Sequence, residues 1–248
     1  MQEIRNLFKN DLEESLLLAH SLSAMLSLGQ VQIAEIISKN LDSGSKYIIP
    51  SCNQSDFYLA VLHQTSYGDI LGTYCAHPGA VEEMIHARLI QRWYEFLSQV
   101  FEKILDDHFS GISNYNKRVS IEIDLKFLTD TKENLVTNLK ERSVESFRFL
   151  KAKEQVKKIE TLLDHKIPGE LGQSINKHIT VRNIFQHNKG VVRDDDLNFL
   201  GLQGNGITIF HSSTNPLLVK PGEKIILTFY ELLKVGHDLC QAATFLIP

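Results

Sequence analysis

Residues 181–193, VRNIFQHNKGVVR, hold three side chains of types that could act together on a charged ligand. A guanidinium at Arg182, an amide at Asn183 and an imidazole at His187 lie within one otherwise apolar segment. A helix turns about 100° per residue, so Asn183 and His187 share a face, and Arg182 lies about 140° around from His187. The three residues are therefore either ordinary polar groups on the wet side of a helix or a set that converges on a phosphate. In the second case Arg182 must reach around its helix, or another helix or subunit must complete the set.

The elements that position these residues are predicted to be mostly helices, because apolar residues recur at intervals of three and four. The segment itself is predicted to be helical from about Ser174 to Asn188, with Gly190 as its left-handed C-cap. The clearest other helix covers 81–105, whose predicted buried stripe is Ile85, Leu89, Trp93, Phe96, Val100 and Ile104. Further helices are predicted over 11–28 (ending at Gly29), 30–41, 130–163 (with a capping box from Asp130 to Glu133 and a break near Ser143) and 223–246.

A few segments do not follow the helical pattern. Residues 119–127, VSIEIDLKF, alternate apolar and polar side chains, which is typical of a strand. Residues 194–222 are rich in Asp, Gly, Ser, Asn and Pro and contain possible short strands at 207–210 and 217–219, which indicates a loop or hairpin insertion.

In the last helix, the residues predicted to be buried are Ile226, Phe229, Leu232, Leu233, Leu239 and Phe245. We expect an all-α fold, with an N-terminal helical extension over 1–79 and a helical domain over 80–248.

Composition indicates a folded protein and excludes several classes. Hydrophobic residues make up 43% of the 248 residues, and the net charge is −4, so no overall basic field indicates nucleic-acid binding. Three widely spaced cysteines without a C-x-x-C pair predict a reducing compartment and no cysteine-based zinc site. No secretory leader or long uninterrupted apolar run is recognisable, so we expect a cytoplasmic protein without a membrane span.

Most sequence motifs of enzymes are missing. The run Gly201-Leu-Gln-Gly204-Asn-Gly206 has its glycines in the wrong order for a dinucleotide site and predicts a surface turn. There is no Walker sequence, no G-x-S-x-G and no H-E-x-x-H. The remaining histidines, including His86 and His178, lack metal-ligand spacing and are interpreted as surface or satisfied core residues. No cofactor and no metal are predicted.

The segment Arg182-Asn183-Ile-Phe-Gln-His187-Asn188-Lys-Gly190-Val-Val resembles the Arg-x4-His signature of HEPN domains. A polar residue follows the Arg, and the His-Asn-x-Gly-hydrophobic ending is found in several branches of that family. The order of elements is similar as well, with a long aromatic-rich helix upstream, further helices, the signature and one terminal helix. The resemblance covers roughly residues 80–247 and leaves 1–79, 119–127 and 194–222 unexplained.

The resemblance implies an all-α bundle that forms a homodimer, joins two motifs in one cleft and, in catalytic members, cleaves RNA without a metal. His187 would take the proton from a ribose 2′-hydroxyl or donate one to the leaving 5′-oxygen. Arg182 would hold the scissile phosphate and stabilise the transition state. Asn183 would orient His187 or bind a phosphate oxygen. Because a helix C-terminus favours the imidazolium, His187 suits a general acid, and two subunits could supply one acid and one base.

The surroundings of the motif bear on RNA binding. Lys177, Lys189 and Arg193 make the segment locally basic, and with Asn188 they are the candidate substrate-binding residues. Asp194-Asp195-Asp196 act against this. Four lysines between 151 and 158 are most simply a solvated helix face, with contact to nucleic acid as the alternative.

Three interpretations remain open from the sequence. The first is a metal-independent endoribonuclease in a toxin, stress-response or antiviral defence setting, with RNA as substrate and an antitoxin or other regulatory protein as a possible partner. The second is a HEPN module that binds RNA, nucleotide or a partner protein without cleavage, since a fold does not fix a function. The third is that Arg182 and His187 merely form ion pairs within a bundle with acidic residues such as Glu95, which is otherwise a supporting site residue.

Overall fold

The computed structural model describes residues 1–39, 46–48, 64–113, 132–202, 205–212 and 215–248, and it confirms the all-α prediction. The predicted strand at 119–127 and the capping residue Asp130 lie outside the described residues. The helices are α1 (Gln2–Ser38), α2 (Tyr67–Ala76), α3 (Ala80–Phe109), α4 (Lys132–Phe149), α5 (Ala152–Leu163), α6 (Gly169–Asn188), α7 (Asp194–Leu200) and α8 (Phe229–Leu246). The strands form two antiparallel pairs, β1 (Lys46–Ile48) with β2 (Gln64–Ser66) and β3 (Ile207–Phe210) with β4 (Pro216–Val219).

Helix α3 is the centre of the bundle and packs against α1, α4, α5, α6 and α8. All six residues of its predicted apolar stripe are buried, which confirms that prediction. Trp93 is fully buried and stacks with Phe96, and Phe8 of α1 stacks on the same Phe96 ring. The core therefore forms around one long helix that the sequence pattern identifies.

Helix α1 is continuous, so the predicted end at Gly29 and the separate helix over 30–41 are wrong. A glycine inside a helix costs only about 1 kcal/mol relative to alanine, which does not end a helix of 37 residues. Phe8, Leu12 and Ala19 join the core around α3, whereas no residue of α1 beyond Ala19 is buried. The first half of α1 thus shares the core of the following helices, and the division of the chain at residue 79 stays a prediction.

By length and composition α1 could also cross a membrane, although only 6% of its most apolar stretch is buried in the fold. Core helices of soluble proteins and N-terminal signal sequences meet the same criterion. The helix therefore gives only weak evidence for a membrane span.

The predicted break near Ser143 is also wrong, because the chain stays helical until Phe149 and turns at Leu150 and Lys151. The Ser143 hydroxyl donates to the carbonyl of Leu139, one turn earlier, which a helix accommodates. Gln155 stabilises the actual corner: its Nε2 lies within 3.3 Å of the carbonyl oxygens of Phe147, Arg148 and Leu150.

Between α6 and α8 the chain builds a second, smaller core. The predicted hairpin is present as β3 and β4, and the short helix α7 before it was not predicted. Ile207, Ile209 and Val219 of the hairpin pack with Val181 and Ile184 of α6. The insertion therefore supports the second half of α6, the segment that carries the motif.

Helix α8 begins at Phe229, six residues later than predicted, and α6 begins at Gly169 instead of about Ser174. Before α8 the chain is extended, with Ile225 and Leu227 buried and Ile226 exposed. This alternation has the period of a strand, so the inclusion of Ile226 in a helical core was wrong. Leu232 and Leu239 are buried as predicted and Phe229 is partly buried, but Leu233 and Phe245 are exposed.

Candidate functional site

The end of α6 is fixed by a tight turn. Lys189 has a φ of 53° and Gly190 a φ of 83°, both left-handed, so Gly190 follows a left-handed C-cap instead of forming it alone. A Cβ on Gly190 would lie 2.9 Å from a ring carbon of Phe185, so only glycine fits there without a shift. The Gly190 carbonyl accepts a hydrogen bond from the Ile225 amide at 2.9 Å, which ties the turn to the extended chain before α8. His187 therefore lies in the last turn of a helix whose end is well determined.

The three motif residues do not enter the core. Arg182 is half-buried, and its Nη1 donates to Oδ1 of Asn183 at 3.2 Å. The side chains of Asn183 and His187 are exposed. The structure thus brings Arg182 and Asn183 together, and it presents His187 to solvent one turn further along α6.

Arg182 faces a cleft between α3, α6 and the corner of α4 and α5. The cleft has a volume of about 640 Å³, and its polar lining includes Tyr94, Glu95, Arg148, Lys151, Gln155 and Arg182. Three of these side chains are cationic and one is a carboxylate, so the lining is positively charged although the whole chain is acidic. His187 and Asn183 are not among the lining residues. A single chain therefore offers a basic cleft at Arg182 and, separately, an exposed imidazole.

Glu95 does not neutralise Arg182. Its carboxylate accepts from Nη1 of Arg92 at 2.7 Å, and Arg92 also lies 3.7 Å from Asp11. Over the described ranges of the chain, Arg182 and His187 form no ion pair with any carboxylate. The ion-pair interpretation of the motif therefore finds no support from Glu95.

Tyr94 lines the same cleft, and the charge of Arg182 affects the pKa of its phenol. Burial raises the pKa of the Tyr94 phenol above its ordinary value, and the positive charge of Arg182 acts in the opposite direction. The phenol therefore stays protonated near neutral pH and can donate a hydrogen bond to an anionic ligand in the cleft.

The other predicted substrate-binding residues lie apart from the cleft. The Lys177 ammonium is bound by Glu231 at 2.7 Å and by the Thr208 carbonyl at 3.2 Å. Asn188 donates to Asp196 at 3.4 Å, and Lys189 and Arg193 are exposed beyond the end of α6. Only Lys189 and Arg193 thus extend the basic surface around His187.

A buried polar cluster, unrecognised in the sequence, lies in the first half of α6, at Ser174, Lys177 and His178. His178 is fully buried, with its Nε2 3.0 Å from Asp238 and its Nδ1 3.5 Å from Glu231. Ser174 and Lys234 also bind Asp238. His178 is therefore a core histidine that is hydrogen-bonded at Nε2, whereas its Nδ1 has only the charge of Glu231 nearby and no hydrogen-bond partner among the described residues. The acidic partners come from α8, distant in sequence, so no local pattern indicates them.

The ionisation of this cluster follows from its contacts. Burial alone would raise the pKa of Glu231, but the interaction with His178 and the charge of Lys177 outweigh it and lower the pKa to about 2. The same balance, with bonds from His178, Lys234 and Ser174, lowers the pKa of Asp238. Burial, with the charge of His178 second, lowers the pKa of His86 to about 3, and no described residue bonds its Nε2. The carboxylates are thus ionised and paired, whereas His86 is neutral.

The cluster contains a serine, a histidine and an aspartate, but not in the order of a nucleophilic triad. Both Ser174 and Asp238 lie on the Nε2 side of His178, and the serine hydroxyl bonds the aspartate directly. In a triad the two residues contact opposite nitrogens of the imidazole. Within the described ranges no group of three or more His, Cys, Asp or Glu is placed to hold a metal ion. The cluster therefore has the features of a structural network.

Comparison of the chain with known protein families, with curated proteins and with solved structures finds no significant match.

Proposed function

We propose that the protein is a HEPN-type, metal-independent endoribonuclease. The 2′-oxygen of a ribose attacks the adjacent phosphorus, the bond to the 5′-oxygen breaks, and the products carry a 2′,3′-cyclic phosphate and a 5′-hydroxyl. His187 acts as the general acid and gives a proton to the leaving 5′-oxygen. A separate general base removes the proton of the 2′-hydroxyl. Arg182 binds the phosphate and stabilises its charge in the transition state.

The observation that carries this proposal is that the motif side chains are available. Arg182, Asn183 and His187 take no part in the core, and the described structure pairs neither the guanidinium nor the imidazole with a carboxylate. Arg182 borders a cleft whose lining includes two further cations, Arg148 and Lys151. Such an arrangement suits a phosphodiester more than an internal ion pair.

The proposal includes a homodimer, because the geometry of one chain leaves Arg182 and His187 on different sides of α6. A second copy that approaches the exposed end of α6 would bring its own motif to the same cleft. His187 of one subunit and a group of the other would then supply the acid and the base. We further propose a cytoplasmic toxin, stress-response or defence role, with an antitoxin or other regulatory protein as a possible partner.

A second candidate is a non-catalytic module that binds RNA or nucleotide. It is favoured by one observation: the basic cleft at Arg182 is complete within one chain, whereas His187 lies outside it. In this case Arg182 is a phosphate contact and His187 has no role in a reaction.

The test is incubation of the wild type and of His187→Ala with labelled single-stranded and structured RNA in EDTA, followed by analysis of the product ends. We expect cleavage by the wild type alone, with 2′,3′-cyclic phosphate ends. RNA binding without cleavage would support the non-catalytic module instead. Light scattering at micromolar concentration tests the dimer, and a monomer would refute the composite cleft.

A further inference from the structure

Phe149, the last residue of α4, has an exposed side chain that takes no part in the core. With 84% of its surface accessible, it is the most exposed large hydrophobic side chain in the described part of the protein. Its two chain neighbours, Arg148 and Leu150, both line the basic cleft, so Phe149 lies next to the cleft along the chain. Packing in the core does not account for an exposed aromatic ring beside a cationic cleft. A ligand that contacts the ring would account for it.

The corner that carries Phe149 is well fixed. Gln155 binds the carbonyl oxygens of Phe147, Arg148 and Leu150, on both sides of Phe149. The preceding ring, Phe147, is fully buried and stacks on Phe101 with centroids 4.3 Å apart and planes 7° apart. The ring of Phe149 is therefore presented from a position that the core and Gln155 determine.

The charges beside Phe149 match a nucleic-acid backbone. Arg148, Lys151 and Arg182 line the cleft next to this corner, against the single carboxylate of Glu95 in its lining, which Arg92 already binds. Proteins that bind single-stranded nucleic acid combine a positive groove for the phosphates with exposed aromatic rings on which bases stack. The cleft and Phe149 together have both parts.

We propose that Phe149 is a stacking platform for an unpaired RNA base, whose flanking phosphates lie in the cleft at Arg148, Lys151 and Arg182. The substrate class is then single-stranded or looped RNA, because the bases of an A-form duplex are stacked on each other and cannot reach the ring. This inference rests on the proposed function only in taking RNA as the ligand. It concerns binding and does not require cleavage.

The first experiment replaces Phe149 by tryptophan and measures fluorescence on titration with oligouridylate in EDTA. Trp93, the natural tryptophan, is fully buried, so a stacked base should quench the added indole alone. Phe199→Trp is the matched control, because Phe199 is 69% exposed on α7 and its chain neighbours do not line the cleft. We expect saturable quenching of Phe149→Trp and none of Phe199→Trp; equal quenching of both would overturn the proposal.

The second experiment compares RNA affinity of the wild type, Phe149→Ala and Phe149→Tyr. Loss of one stacking contact should weaken single-strand binding roughly ten-fold to a hundred-fold in Phe149→Ala, with tyrosine restoring it. Duplex affinity and the melting temperature should not change. The inference is overturned if Phe149→Ala binds single-stranded RNA as tightly as the wild type, or if the wild type binds no RNA. It is also overturned if the only effect of Phe149→Ala is to make the protein monomeric.

The two proposals fail separately. If Phe149-dependent binding is found but the wild type cleaves no RNA, the endoribonuclease proposal falls and the stacking platform stands. If the wild type cleaves RNA and Phe149→Ala binds single strands as tightly as the wild type, the stacking platform falls alone.

Discussion

His178 and His187 lie on the same helix but in opposite environments. His178 is fully buried and contacts Asp238 and Glu231 of α8, whereas His187 is exposed and forms no ion pair within the described residues. Burial of a charged group without partners is costly, so the buried first half of α6 can hold charged side chains only where oppositely charged groups face them. The exposed second half has no such requirement, and its polar residues remain available to a ligand.

This contrast separates the polar residues of one helix into a structural set and a proposed functional set. The structural set is the cluster around His178, and it includes Lys177, which was predicted from the sequence to bind substrate. The proposed functional set is Arg182, Asn183 and His187 with the adjacent cleft. Substitutions in the first set should lower stability, and substitutions in the second should weaken RNA binding or cleavage.

The largest effect on stability is expected for Glu231→Ala. Removal of this buried carboxylate leaves the Lys177 ammonium without its ion-pair partner and the Phe210 amide without its acceptor, and His178 keeps only Asp238. The free energy of unfolding should fall by roughly 3–5 kcal/mol. Urea denaturation measures the change. Glu170→Gln is the control, since Glu170 is exposed in the first turn of the same helix and should cost less than about 1 kcal/mol. Similar losses in both variants would contradict the distinction between the two sets.

A smaller loss is expected when the turn after His187 is strained. In Gly190→Ala the left-handed backbone costs about 1–2 kcal/mol, and the new Cβ must also displace the ring of Phe185. Differential scanning calorimetry should show a lower melting temperature. Gly29→Ala is the matched control: nothing lies within 4 Å of its added Cβ, and alanine should stabilise α1 by about 1 kcal/mol. A harmless Gly190→Ala would show that the turn is not constrained as described.

The pH dependence of stability should report His86, a buried residue of α3 whose ring lies beside that of His178. The pKa of His86 falls from 6.5 to about 3 on folding, so between these values the unfolded chain binds a proton that the folded protein does not. The stability that neutral His86 permits is fully present above pH 6.5 and is lost progressively as the pH falls toward 3. At about 1.4 kcal/mol per pH unit, the loss by pH 5 is roughly 2 kcal/mol.

The variant His86→Leu tests this dependence. Between pH 7 and pH 5 its unfolding free energy should fall by roughly 2 kcal/mol less than that of the wild type. Glu231 does not interfere in this range, because its pKa is lowered from 4.5 to about 2 and it titrates at lower pH. The same slope in both proteins would mean that His86 is not buried in its neutral form.

The sequence predicts the elements that depend on a local pattern. The stripe on α3, the helical motif segment and the hairpin before α8 follow from spacing within single segments, and the structure confirms them. The continuity of α1 was not predicted, because Gly29 was interpreted as a helix end and the preference of glycine to end a helix is weak. The start of α8 was misplaced because Ile226 and Phe229, three residues apart, have a helical spacing, although Ile225 and Leu227 are the residues that the structure buries.

The site was only partly predictable for a different reason. Arg182, Asn183 and His187 are close in sequence and were found together. The cleft unites Tyr94, Arg148 and Lys151 from separate helices, and the cluster unites His178 with Glu231 and Asp238. Such contacts depend on tertiary packing, so a single sequence gives no signal for them.

The most direct test of the distinction between the buried and the exposed polar residues of α6 measures RNA cleavage and urea unfolding of the same two variants, His187→Ala and His178→Ala. We predict that His187→Ala loses cleavage by a hundred-fold or more, roughly the contribution of a general acid, with its unfolding free energy within about 0.5 kcal/mol of the wild type. His178→Ala should lose several kcal/mol of stability, since it breaks a buried network. Undiminished cleavage by His187→Ala, or a loss that only parallels its unfolding, would contradict the account.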